Sequence, residues 1–391
     1  MLDRVVASQT VSAGFVSPGL SIIDAAKDTL PRVGEISAGQ SPTFIVPGPN
    51  LAKILVYDAA QFSHSIQVID TQSESNNGSV ALPAPTSSIV LPLPSGPAYA
   101  AVPTATVTGQ PLGAIEVVDV TSGAITASIG VPGVQTVVSA ANGAVVLGFS
   151  PDLDLVTAVI PANINTGNAV TMPVAGSFDH PVTALISGTT AYVLNCGAEC
   201  GGTQASVQAV DLTTFMPVGS PVNVDGATAG FLSGTTLYVA GNSPANSACT
   251  GETTAATTCG RLDVIDTTTS PPTVTSSVVI TDGYHTLFSM SLNGQLFVGS
   301  RTCTTVGDVN NNPGNGEVRG CLSIYNTGTG AVVVPPDNGD VTGLQSFTTL
   351  NSEYVVQGGN LRIYDTTKDV LGSIQLNVNG GYYDVKAIDF F

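Results

Sequence analysis

Two of the three histidines in this chain stand among carboxylates just ahead of apolar runs: Asp179-His180, and Asp282, Tyr284 and His285. Imidazole next to carboxylate can ligate a divalent ion or carry protons. Corresponding places hold Asp225; Asp337, Asn338 and Asp340; and Asn377, Asn379, Tyr382, Tyr383 and Asp384. The ligand-binding set expected from these runs is Asp179, His180, Asp282, Tyr284, His285, Asp340, Tyr383 and Asp384. A metal, zinc or calcium, would be held by His180 and His285 with aspartates nearby. The plainer alternative is that both histidines tie down strand starts by bonding backbone. His64 leads into another apolar run on the same side.

Six cysteines fall as Cys196/Cys200, Cys249/Cys259 and Cys303/Cys321. Six cysteines allow 15 connectivities, and pairing within each local loop is the simplest. Zinc is the other reading, but the chain has no Cys-x2-Cys and no histidine close to these cysteines in sequence. Disulfides imply an oxidising compartment, so a secreted, periplasmic or cell-surface location is expected. The start, Met1-Leu2-Asp3-Arg4, lacks the basic and apolar regions of a signal peptide, so the chain reads as a mature form.

The elements that would position these groups repeat. Eight times an apolar strand runs into an Asp or a stand-in: Asp24, Asp70, Asp119, Pro161, Asp211, Asp266, Asn326 and Asp365. The steps are 46, 49, 42, 50, 55, 60 and 39 residues, and the two chain ends together supply 26 + 24 = 50 more. A period that closes on itself describes a ring. Repeats of this length in an all-β chain predict an eight-bladed β-propeller of four-stranded blades, one domain over residues 1–391, with seven blades as the alternative. The sixth unit predicts strands near Ala227–Leu232, Thr236–Ala240, Arg261–Ile265 and Thr273–Ile280. The first unit is split. Residues Arg4–Ser37 would give three strands, and Tyr382–Phe391 the innermost one, closing the ring.

Val68-Ile69-Asp70-Thr71, Val264-Ile265-Asp266-Thr267 and Ile363-Tyr364-Asp365-Thr366 resemble the strand ends of YVTN-type secreted β-propellers. The resemblance spans the chain and implies an exported protein of binding-type function. It carries no catalytic residue, and that family more often has seven blades than eight. Quinoprotein dehydrogenases use Trp docking motifs, and this chain has no Trp. No Cys-x-x-Cys-His is present for covalent haem.

In a propeller the loops entering the innermost strands share one face, the top, with those between second and third strands. The His/Asp runs and the cysteine loops belong there. The Asp repeat belongs at the bottom, where an Asx turn explains it. Asp308 to Glu317 resembles a calcium loop in composition, but its Gly stands seventh rather than sixth. Asn77-Gly78-Ser79 is a glycosylation sequon. Ten basic against 28 acidic residues give −18, which excludes a phosphate-binding stripe and hence a nucleic-acid partner. No apolar run reaches the ~18 residues of a membrane span. Three functions remain. The first is a binding module presenting its stapled top face to a protein, glycan or small ligand. The second is a metal-assisted lyase or hydrolase. The third is a self-assembling structural subunit of a surface layer or appendage. Whether the chain is an enzyme stays open on sequence alone.

Overall fold

The structure is a computed structural model that describes residues 3–10, 18–140, 143–161, 170–243, 260–303, 306–307, 318–335, 339–372 and 381–389. Its strands form eight four-stranded antiparallel sheets, and a separate two-stranded hairpin pairs Val306–Gly307 with Val318–Arg319. The eight sheets are the blades of a β-propeller. We number the blades in chain order, and count strands outward from the centre as A to D.

Blade 1 consists of Tyr382–Ala387 (A), Arg4–Gln9 (B), Gly19–Asp24 (C) and Thr29–Ile36 (D). Its innermost strand comes from the C-terminal end, as the split repeat predicts. The register runs from Val5 opposite Ala387 to Gln9 opposite Tyr382. Blade 4, where Pro161 stands in for the Asp, is complete: Thr136–Ala140, Val145–Ser150, Leu155–Ile160 and Val170–Pro173. Blade 6 pairs Ala229–Ser233, Thr236–Asn242, Gly260–Asp266 and Thr273–Ile280, within two residues of the predicted bounds at every end. In blade 5 the outermost edge is split between Met216–Pro217 and Val222–Asn223.

The packing explains why the strands read as unbroken apolar runs. A strand turns alternate side chains to opposite faces. In Lys53–Asp58 of blade 2, Ile54 and Val56 pack toward blade 1, while Leu55 and Tyr57 pack toward blade 3. Both faces are covered, so both must be apolar. The buried side chains fall into eight clusters, one at each seam between neighbouring blades. The eighth joins Val5, Ile23 and Val385 of blade 1 to Phe347, Tyr354 and Ile363 of blade 8 and closes the ring. Among the described residues no helix is long and apolar enough to cross a membrane.

Candidate functional site at the top of the channel

The two faces of the ring differ in chemistry. On the bottom, an Asp or Asn at the end of six of the C strands closes a turn. Asp70 Oδ1 accepts the Gln72 and Ser73 amides at 3.0 and 2.8 Å, and Asp119 Oδ1 accepts the Thr121 amide at 2.8 Å. Asp211, Asp266, Asn326 and Asp365 do the same two residues on. Amide donation holds the Asp70 and Asp211 carboxyls below their ordinary range. These are Asx turns with their lone pairs already committed to backbone.

On the top, polar residues at the ends of B strands hold the loops that enter the A strands. Asp58 Oδ1 accepts the Gln40 and Ser41 amides, Ser150 donates to the Pro132 carbonyl, and Ser300 donates to the Asp282 carbonyl. The loops are thereby fixed around a central opening. A cleft of about 470 Å³ runs into this opening along the A strands of blades 3 to 7. Its wall carries Ser87, Ser88, Gln135, Thr136, Thr183, Thr228, Tyr284 and Thr286 beside the apolar Pro151, Val182, Leu185 and Ala229, and no lining residue is charged. Tyr284 is 42% exposed. Desolvation and then the charge of Glu199 raise its phenol above the ordinary range.

Glu199 was not anticipated. It lies in the Gly197–Cys200 turn, which the Cys196–Cys200 disulfide closes. From blade 5 it reaches blade 6, where its carboxylate accepts the Asn242 amide at 2.7 Å and the Asn242 side-chain amide at 3.1 Å. That side-chain amide also donates to the Gly283 carbonyl of blade 7. Burial pushes the Glu199 carboxyl up to about 7, against the pull of the Asn242 donors. One short ring thus latches three blades at the top.

The predicted residues divide. His180 Nδ1 lies 3.1 Å from Asp179 Oδ1 and 3.5 Å from Asp154 Oδ1. One donor atom from each of the three residues lies within 4.8 Å of the others, a grouping able to hold a metal. His285 is not part of it. It is completely buried, with Nε2–H donating to the Thr281 carbonyl at 2.9 Å. Burial drives its imidazole down to about 4, so it is neutral at ordinary pH. Asp340 Oδ1 accepts the Thr302 amide at 2.7 Å. The Tyr383 ring lies under the Arg301 guanidinium, 5.4 Å from its centroid, and its hydroxyl accepts from Arg301 at 3.2 Å. Asp384 is buried and pairs with Lys386 at 2.8 Å. His64 bonds the Tyr57 hydroxyl at 3.1 Å. Cys303–Cys321 is a disulfide, and the described residues include no free cysteine. Cys249, Cys259, the Asp308 to Glu317 segment, Asp337, Asn338, Asn377 and Asn379 lie outside the described residues.

Asp154, Glu199 and Arg301 escaped the sequence reading. Asp154 sits in a turn between the B and C strands of blade 4, a loop too short to draw attention. Its one signal is left-handed backbone at a non-glycine residue, which is invisible in sequence.

No protein-family model matches the chain, and no curated protein is similar to it in sequence. Solved structures are similar in fold. The Dos1 propeller matches with a TM-score of 0.61 at 10% identity, over 87% of this chain and 86% of that one. The periplasmic gluconolactonase PpgL of Pseudomonas aeruginosa matches with a TM-score of 0.54 at 13% identity, over 100% and 99%. The β-propeller domain of Myceliophteria thermophila Cps50 (Swd1) gives 0.54 at 8% identity, over 81% and 93%. At these identities the likeness is one of fold alone.

Proposed function

We propose that this protein is an exported binding propeller whose top-face cleft takes an uncharged, hydroxyl-rich ligand such as the end of a neutral glycan. The observation that carries this reading is the lining of the cleft. A chain with net charge −18 places around its central opening a lining of Ser, Thr, Gln and a half-exposed Tyr beside Pro, Val, Leu and Ala, with no charge among them. Hydroxyls donate and accept at once, which suits ligands that do the same. An aromatic ring supplies the apolar contact that a sugar face offers. The surrounding negative field disfavours anionic competitors. The stapled turn at Cys196–Cys200 and the loop closed by Cys303–Cys321 stiffen the same face, and preorganised loops lose less entropy on binding. The disulfides suit an oxidising compartment and support export.

A printed array of neutral and sialylated oligosaccharides tests the reading. Retention of neutral structures is expected, with sialylated ones weaker and Tyr284→Ala losing about tenfold in affinity, roughly 1.4 kcal/mol. Absence of any neutral binder, or a Tyr284→Ala protein that binds as well as the parent, overturns it.

A further inference from the structure

We propose that Asp154, Asp179 and His180 form a binding site for a zinc-class divalent cation at the seam between blades 4 and 5. The three residues come from two blades. Asp154 ends the Pro151–Leu153 turn of blade 4, and Asp179 and His180 lead into the A strand of blade 5, Pro181–Ser187. The inference stands on this geometry and not on the ligand assigned to the cleft.

The spacing fits an ion. Bonds of ~2.0–2.1 Å in a tetrahedral shell place neighbouring ligand atoms ~3.3 Å apart. The His180 Nδ1 separations of 3.1 and 3.5 Å from the two carboxylate oxygens bracket that value. One imidazole nitrogen with two carboxylate oxygens suits zinc or a similar ion, whereas calcium takes six to eight oxygens at longer range.

The surroundings hold the donors in place. Asp179 Oδ2 accepts the Thr203 amide at 2.8 Å, the Gln204 amide at 2.9 Å and the Thr203 hydroxyl. The other Asp179 oxygen, Oδ1, is left facing the imidazole. Outer donors that orient a metal-binding carboxylate in this way are typical of built sites. Asp154 is held by the His180 amide, which donates to its Oδ1 at 2.7 Å.

Room has been kept around these atoms. A Cβ on Gly202 would lie 1.7 Å from Asp179 Oδ1 and 2.7 Å from His180 Nδ1. Only glycine leaves the carboxylate and ring where they are. The two carboxylate oxygens lie within 4.8 Å of each other, yet among the described residues neither pairs with Lys or Arg. A divalent cation would offset that repulsion. Asp154 is 55% exposed at its side chain, against 23% for Asp179 and 21% for His180, so the site opens to solvent on the blade 4 side. Water or a ligand atom would complete the shell from there.

The test uses the full chain, stripped with EDTA and titrated with zinc chloride by calorimetry. A cobalt(II) titration reports geometry. The expected result is one equivalent of zinc bound, with tetrahedral cobalt absorption. His180→Ala and Asp154→Asn should each lose roughly 100-fold in affinity, while circular dichroism stays that of the parent. Asp154→Asn keeps the test usable should His180→Ala fail to fold. The proposal is overturned by no zinc uptake, by zinc binding that survives Asp154→Asn unchanged, or by calcium displacing zinc at equal concentration.

Discussion

The carboxylate of Asp384 accepts the backbone amide of Ile45 at 2.8 Å, so the ring-closing strand of blade 1 is tied forward to the innermost strand of blade 2. The same residue is tied backward, its amide donating to the Ser8 hydroxyl at 3.0 Å. Asp384 was expected in a ligand site. In the fold it is a rivet in the closing strand, paired with Lys386 at 2.8 Å.

Asp384→Ala should therefore cost stability. It leaves Lys386 and the Ile45 amide without their partner in a buried place, a loss of about 3 kcal/mol. Asp384→Asn, which can still accept from Ile45, should lose less. Urea unfolding checks both, and a loss under about 1 kcal/mol for the alanine variant would count against the rivet.

Stability should fall as pH rises through the neutral range, with Glu353 the larger contributor beside Glu199. Glu353 is completely buried in the B strand of blade 8, with Ser289, Ser346 and Lys386 near its carboxyl. Burial pushes its carboxyl up to about 8, and Ser289, Ser346 and Lys386 pull it back only in part. The folded state thus holds a proton that the unfolded chain releases near pH 4.5. The penalty is absent below pH 4.5, grows between 4.5 and 8, and is complete above 8. Glu353→Gln should flatten this slope and stabilise the protein at pH 8 by about 3 kcal/mol, with little change at pH 4.5. Parallel urea titrations at the two pH values decide it. Equal effects at both would rule out the titration.

Removing the Cys303–Cys321 bridge by a double Cys→Ala change should cost about 3 kcal/mol through the entropy of the opened loop. The sequence separation is 18. The blades should stay folded, because the bridge joins only the top end of the B and C strands of blade 7, where the Ser300 amide donates to the Cys321 carbonyl, and the ladder from Gln295 to Gly299 holds without it. Protease cleavage confined to this loop, with unchanged far-ultraviolet dichroism, is the expected readout. General digestion would contradict it.

Gly202→Ala should act through space, because its backbone φ lies outside the left-handed region. The added methyl displaces Asp179, breaking its bonds to Thr203 and Gln204. The expected cost is about 2 kcal/mol. Zinc uptake should fall with it, and a variant that keeps both stability and metal would show that the cradle is loose.

Much of the ring was legible because its cause is local. An apolar run ending in Asp70 or Asp266, then Thr and a turn, carries both the strand period and the Asx bond two residues on. The closing strand was legible because Arg4–Gln9 had no inner partner nearby in sequence and residues 382–391 had no blade of their own. The sites were less legible, because they form where blades meet. Asp154 and His180 are 26 residues apart, and Glu199 and Asn242 are 43 apart. No periodicity predicts which loops lean together. His285 shows the reverse error. Its neighbours in sequence are polar, but its position in the strand turns it inward to Thr281.

The strand that completes blade 1 is made long after the strand it pairs with. Gln9 and its partner Tyr382 are separated by 382 − 9 = 373 residues. At ~5–20 residues per second, synthesis of that stretch takes on the order of half a minute. Throughout, Arg4–Gln9 offers a bare inner edge that another strand can join. Newly made copies on one message are close neighbours, so a borrowed strand from the next copy is the natural error.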